Sequence, residues 1–264
     1  MEAHVPLICE CIAHLSSPGA YFTARQRLAV SLEAAATFDA CGECARLWDA
    51  CLKPGTSVLV LLRKSAIEPS VPGLPREVAL CVRAITNLQS KLTIEFYNDL
   101  VRAATDYSTL TLTDDETKAA AAELIAVVSV ATSLTTLVET LGLKERLALP
   151  ALSEIADAPP VGARRLSAMG SSVVPGATYG PLIGRLGTPP PGESLPLMLG
   201  EMPFRGLGLV PFEARFFARW LDSLYMDGWK VIFASWKLGA RPCLDRGQME
   251  VVAEHYTGTV ACSY

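Results

Sequence analysis

Three segments of this chain start helices in the same way, and that repeated start constrains the fold more than any other feature. Thr23-Ala24-Arg25-Gln26, Thr113-Asp114-Asp115-Glu116 and Asp245-Arg246-Gly247-Gln248 each set a side-chain oxygen three residues before a Gln or Glu. This is the capping-box arrangement, in which cap and third residue satisfy each other's backbone N–H groups. Each start runs into apolar residues at helical spacing: Leu28-Ala29-Val30, Ala121-Ala122-Glu123-Leu124-Ile125 and Met249-Glu250-Val251-Val252-Ala253. The pattern predicts an all-α architecture with internally repeated helical units.

Cysteine follows two of the three copies. Phe38-Asp39-Ala40-Cys41-Gly42-Glu43-Cys44 comes after the first helix and Gly258-Thr259-Val260-Ala261-Cys262-Ser263-Tyr264 after the third; with the caps aligned, Cys41 and Cys262 differ by one position. The middle copy has no cysteine there. On one unbroken helix Glu250 and Cys262 would lie about 18 Å apart along the axis. Thr257-Gly258-Thr259 supplies the needed break, since glycine ends helices and threonine caps them. Cys262 then stands at a new helix start, where the N-terminal dipole favours thiolate.

These residues resemble the AhpD-like alkylhydroperoxidases and the wider carboxymuconolactone decarboxylase superfamily. Glu250, eleven intervening residues and Cys262-Ser263-Tyr264 resemble that family's core motif, Glu then eleven residues then Cys-x-x-Cys-x-x-x-His. Gly206-Leu207-Gly208-Leu209-Val210-Pro211, with Trp220 and Tyr225 after it, resembles the segment leading into that core. Leu74-Pro75-Arg76-Glu77-Val78 through Leu143 is similar to the helical part of larger, two-part relatives. The likeness touches most of the chain outside Ala151 to Ser194, and the Glu-to-Cys spacing is its specific part.

The resemblance implies an all-helical, oligomeric AhpD-like fold. In it the second cysteine of the pair attacks a hydroperoxide, the first resolves the sulfenic acid as a disulfide, and a glutamate and histidine relay protons. Carried onto this chain, Glu250 is the proton-relay carboxylate and Cys262 the resolving thiol, and the attacking residue falls at the position after Tyr264. Three readings of that ending stand side by side. The chain is a fragment or its pair has decayed; a selenocysteine codon has been read as a stop; or the N-terminal pair has taken over. Cys41 and Cys44 are the complete Cys-x-x-Cys pair, with spacing that suits attack and resolution. Their surroundings depart from the family pattern. Leu28 holds the cap-aligned glutamate position, Glu33 lies eight residues before Cys41, and Trp48 stands where the family has histidine. Small core cysteines of a degenerate repeat are the plainer reading of the same pair.

The expected organisation is an N-terminal helical unit over 1–150, a connector over 151–196 rich in Pro, Gly and Ser, and a C-terminal helical unit over 197–264 carrying the peroxidase core. A loop is expected at Pro69-Ser70-Val71-Pro72-Gly73. Phe212, Phe216, Phe217 and Trp220 read as a core-facing stripe of one helix. Leu124 to Leu141 is apolar enough to raise a membrane span, but Ser129, Thr132, Ser133, Thr135, Thr136 and Glu139 dilute it, and burial inside protein is expected.

With 264 residues, half of them hydrophobic, the chain can bury a large core. Net charge −4 and scattered basic residues argue against nucleic acid. A cytoplasmic location is expected, and there cysteines stay reduced. Cys9-x-Cys11 is a poor chelating spacing and a second Cys-x-x-Cys unit is lacking, so neither metal nor cofactor is expected. Cys81 and Cys243 read as plain thiols, His4 and His14 as residues of a mobile N-terminus, and His255 as a helix-end histidine. The expected function is a thiol or selenol peroxidase acting on a small hydroperoxide, with a thiol reductant protein as partner and a homo-oligomeric state. The other class considered is a catalytically impaired helical protein that oligomerises or binds a partner.

Overall fold

The computed structural model describes residues 5–38, 58–88, 92–161, 172–174, 182–185 and 209–224. Most of these form α-helices: α1 (Val5–Leu15), α2 (Ala24–Phe38), α3 (Val58–Lys64), α4 (Arg76–Asn87), α5 (Ile94–Tyr107), α6 (Asp114–Thr140) and α7 (Pro211–Leu224). The helical class read from the sequence therefore holds for the described residues. One small ribbon lies inside the segment expected to be a plain connector, where β1 (Ser172–Val174) pairs antiparallel with β2 (Leu182–Arg185). Its register slips between Ser172 and Val173, so that Gly184 is the extra residue of a bulge.

Two of the expected capping boxes are formed. At the start of α2 the Thr23 N–H donates to Gln26 Oε1 at 2.9 Å, and the Gln26 N–H donates back to Thr23 Oγ1 at 3.2 Å. Ahead of α6 the Glu116 carboxylate accepts both the Thr113 N–H at 2.9 Å and the Thr113 hydroxyl at 2.8 Å. Asp114, Asp115 and Glu116 put three carboxylates in the first turn of α6, where the helix dipole favours them. The third start, at Asp245, lies outside the described residues.

α6 is the axis of the bundle. Its 27 residues extend about 40 Å, and α1, α2, α4, α5 and α7 all pack against it. The run Ala119-Ala120-Ala121-Ala122 lets neighbouring backbones approach, and Leu124, Val127, Val128, Val130 and Ala131 continue the buried surface. By length and composition this helix could cross a membrane, yet 61% of its apolar window is enclosed by the other helices. That is the burial expected of an apolar helix inside protein. Leu209, Val210, Phe216 and Trp220 join the same core from the C-terminal side. The stripe on α7 accordingly faces inward, with Trp220 buried and Phe212 at its outer edge.

α2 is fixed at its C-terminal half by a buried carboxylate. Glu33 Oε2 accepts the N–H groups of Ser70 at 2.7 Å and Val71 at 3.1 Å, while Glu33 Oε1 accepts Arg83 Nε at 2.9 Å. Arg83 also donates to the Glu68 carbonyl and to Ser70 Oγ, both at 2.9 Å. The loop expected at Pro69 to Gly73 is present and is held to α2 and α4 by this clamp.

The end of α6 is set by Gly142, whose φ of +65° lies in the left-handed region. Leu143 N–H donates to the Val138 carbonyl at 2.8 Å and Gly142 N–H to the Glu139 carbonyl at 3.0 Å. This pair of bonds is the Schellman pattern, and Val138 and Leu143 supply its apolar contact in the core. Replacing Gly142 with Ala forces a Cβ into that conformation and is expected to cost about 1–2 kcal/mol. Urea unfolding of the variant should show a lower midpoint with an unchanged slope.

Candidate functional site: a buried charge cluster

The residues that sequence reasoning put forward, Cys41, Cys44, Glu250 and Cys262, lie outside the described residues. Of the cysteines that are described, Cys9 is exposed while Cys11 and Cys81 are buried. Burial pushes both buried thiols far above the ordinary cysteine range, helped by Glu10 beside Cys11 and by Glu77 and Asp99 near Cys81. Neither is a nucleophile at neutral pH. Among the described residues no group of three or more His, Cys, Asp or Glu side chains is disposed to hold a metal.

What the fold does bring together is a cluster of charges that sequence reasoning passed over. Arg27 on α2, Glu123 on α6 and Glu213 on α7 are 0%, 0% and 1% exposed, and His14 on α1 is 7% exposed. Arg27 Nη1 donates to Glu123 Oε1 at 2.9 Å and to Glu213 Oε1 at 2.5 Å, so two carboxylates bond one nitrogen. Glu123 Oε2 accepts the Tyr21 N–H at 2.9 Å. Glu213 Oε2 lies 2.9 Å from His14 Nε2. Because an ionised Glu213 only accepts, His14 Nε2 carries the hydrogen and donates. Arg27 Nη2 is then left to donate to the His14 carbonyl, at 3.2 Å. Arg27 Nε is buried without a hydrogen-bond partner.

Aromatic packing seals this cluster. The His14 ring stacks on Phe216 with centroids 3.7 Å apart and planes 5° from parallel, and on Phe212 at 5.0 Å and 28°. At the surface, Arg219 of α7 pairs with Glu10 of α1. Gly19 closes the opposite side: a Cβ there would fall 1.9 Å from Glu123 Oε1 and 2.6 Å from Arg27 Nη1. The Gly19 backbone is held in turn by bonds to the Phe22 carbonyl at 3.0 Å and from the Val161 N–H at 2.9 Å.

The environment drives the two carboxylates apart, as expected when like charges share one partner. Burial pushes Glu123 up to about 7, aided by Glu213 and opposed by Arg27 and the Tyr21 N–H. For Glu213 the same burial is outweighed by Arg27 and by the His14 bond, which hold it down at about 2. Burial and the cations Arg27 and Arg219 keep His14 below its ordinary 6.5, against the pull of Glu213. Arg27 stays charged, since its two carboxylates overcome the cost of burial.

His14 is thus a buried anchor rather than part of a mobile N-terminus. A signal for the cluster existed in the sequence. Glu123 interrupts an otherwise apolar run, and Glu213 sits inside the aromatic stripe. A lone charge on a core-facing stripe needs a buried partner. Which partner could not be read, because the four residues come from four helices up to 199 positions apart.

No family model, curated protein or solved structure matches the chain.

Glu213→Gln removes one charge-assisted bond to Arg27 and the charged acceptor for His14, leaves Glu123 as the ionised partner of Arg27, and is expected to cost about 1.5–3 kcal/mol, read as a shift of the urea midpoint. Because the folded-state value of Glu213 is depressed, its contribution is present above the ordinary 4.5 and is lost as pH falls toward about 2. Acid unfolding of Glu213→Gln should lack that part of the wild-type slope. Gly19→Ala drives a methyl group into Glu123 and Arg27 and is expected to destabilise by about 1–3 kcal/mol, measured in the same way.

Proposed function

We propose that the protein is a thiol-dependent peroxidase of the AhpD-like kind, built from repeated helical units and active as a homo-oligomer. Cys41 and Cys44 are its redox pair, and Glu250 and Cys262 form a second, related half-site. The observation that carries this reading is the placement of α2. The helix is capped at Thr23, clamped at Glu33, and continues to Phe38, three residues before Cys41. Cys11 and Cys81, inside the core, are desolvated and inert, which leaves reactive thiol chemistry to the other cysteines, among them the pair that follows α2 and Cys262.

In the proposed cycle the Cys44 thiolate attacks the terminal oxygen of a hydroperoxide. The O–O bond breaks, the alcohol leaves with a proton, and Cys44 becomes a sulfenic acid. The Cys41 thiolate attacks that sulfur, water departs, and a Cys41–Cys44 disulfide forms. A dithiol reductant protein returns two electrons and two protons by disulfide exchange.

Stoichiometric tert-butyl hydroperoxide added to the reduced full-length protein should convert the Cys41–Cys44 peptide to its disulfide, two mass units lighter per pair (about 2 Da). Cys41→Ser should stop at the sulfenic acid, trapped by dimedone, and Cys44→Ser should leave Cys41 reduced. If neither Cys41/Cys44 nor Cys262 is oxidised, the chain is a catalytically impaired helical protein, and the peroxidase reading fails.

A further inference from the structure

Arg27 and Glu123 alone make a balanced pair: one cation, one carboxylate, with His14 neutral beside them. Docking α7 presses Glu213 onto the same Nη1 in a buried space where Phe216 stacks on His14. The cluster then holds two carboxylates against one guanidinium. An uncompensated buried charge costs several kcal/mol, on the order of what a single helix gains by docking.

Among the described residues Arg27 is the one fixed cation paired with Glu123 and Glu213. On α1 the facing groups are His14 and Glu10, and Glu10 is taken by Arg219 at the surface. On α2 the facing charge is Arg27. On α6, Glu123 is joined by Glu116, which acts toward Tyr21. From α7 come Glu213 and Arg219. The Tyr21 phenol is held protonated by burial.

We propose that the Arg27 cluster is a proton-binding site, in which one proton, held on the Glu123 carboxyl, neutralises the second carboxylate and links docking of α7 to pH. This stands apart from the thiol chemistry, and none of its residues belongs to the proposed redox pair.

The signs follow from how the environment moves each group. Glu123, raised from 4.5 to about 7, favours docking fully below the ordinary value and loses that contribution as pH rises through about 7. His14, lowered from 6.5, acts in the opposite sense below that value, because undocking frees it to take a proton. In the wild type the two oppose each other. His14→Gln keeps an N–H donor for Glu213, removes the histidine titration, and exposes the Glu123 dependence.

The experiment is hydrogen exchange of amides 211–224 in the full-length chain between pH 5 and pH 8, corrected for the intrinsic pH dependence of exchange. In His14→Gln, protection of this segment should fall about tenfold per pH unit up to about pH 7 and then level off. Adding Glu123→Gln, a permanent mimic of the protonated acid, should make protection pH-independent and keep it high at pH 8. A flat profile in His14→Gln, or a slope that survives in the double variant, overturns the proposal. Should either variant fail to fold, carboxyl-carbon NMR of the wild type decides: a Glu123 midpoint near 7 supports the site, and one in the ordinary carboxylate range overturns it.

Discussion

The guanidinium of Arg27 is the interaction on which this bundle depends. A fully buried cation is tolerated only with partners of opposite sign in good geometry, and those partners come from three other helices. α6 brings Glu123, α7 brings Glu213, and α1 brings the His14 carbonyl, with its imidazole fixing the far side of Glu213. Apolar packing supplies most of the cohesion but is indifferent to small slips of one helix along another. The ion cluster is not. A displaced α7 would strand a charge, so the cluster selects one docking of α7 where Phe216 and Trp220 alone would accept several.

α2 is held at two places by the same kind of interaction. Near its start Arg27 is the hub of the cluster, and near its end Glu33 takes two consecutive loop N–H groups and the Arg83 guanidinium. Both anchors are buried, so the axis of α2 is fixed by charge as well as by packing. Cys11 and Cys81, the buried cysteines among the described residues, sit in the apolar part of this frame and serve only as small hydrophobic groups.

What could be read from the sequence was local. The Thr23 and Thr113 caps, the burial of the helix through Leu124, the inward stripe at Phe216 and Trp220, and the loop before Gly73 all depend on residues within a turn or two of each other. Short-range geometry fixes such features whatever the rest of the chain does. The charge cluster could not be assembled that way. Glu213 stands out on the stripe of α7, but nothing near it in sequence names His14 as its partner, and only tertiary packing of α1 against α7 makes one a donor to the other. The ribbon at Ser172–Val174 and Leu182–Arg185 was missed for a related reason: short strands in a Pro- and Gly-rich stretch carry little periodic signal.

Gly19 ties two distant positions into one. With Glu123 Oε1 occupying the space a methyl group would need, the absence of a side chain at 19 and the presence of a long acid at 123 are a single requirement. Any lineage descended from this sequence should change them together or not at all. An aspartate at 123 would withdraw the carboxylate by one methylene and open room for alanine at 19, while a neutral residue at 123 would relax both the glycine and the demand for arginine at 27. The pair 19 and 123 is therefore where covariation among descendants of this sequence should be strongest.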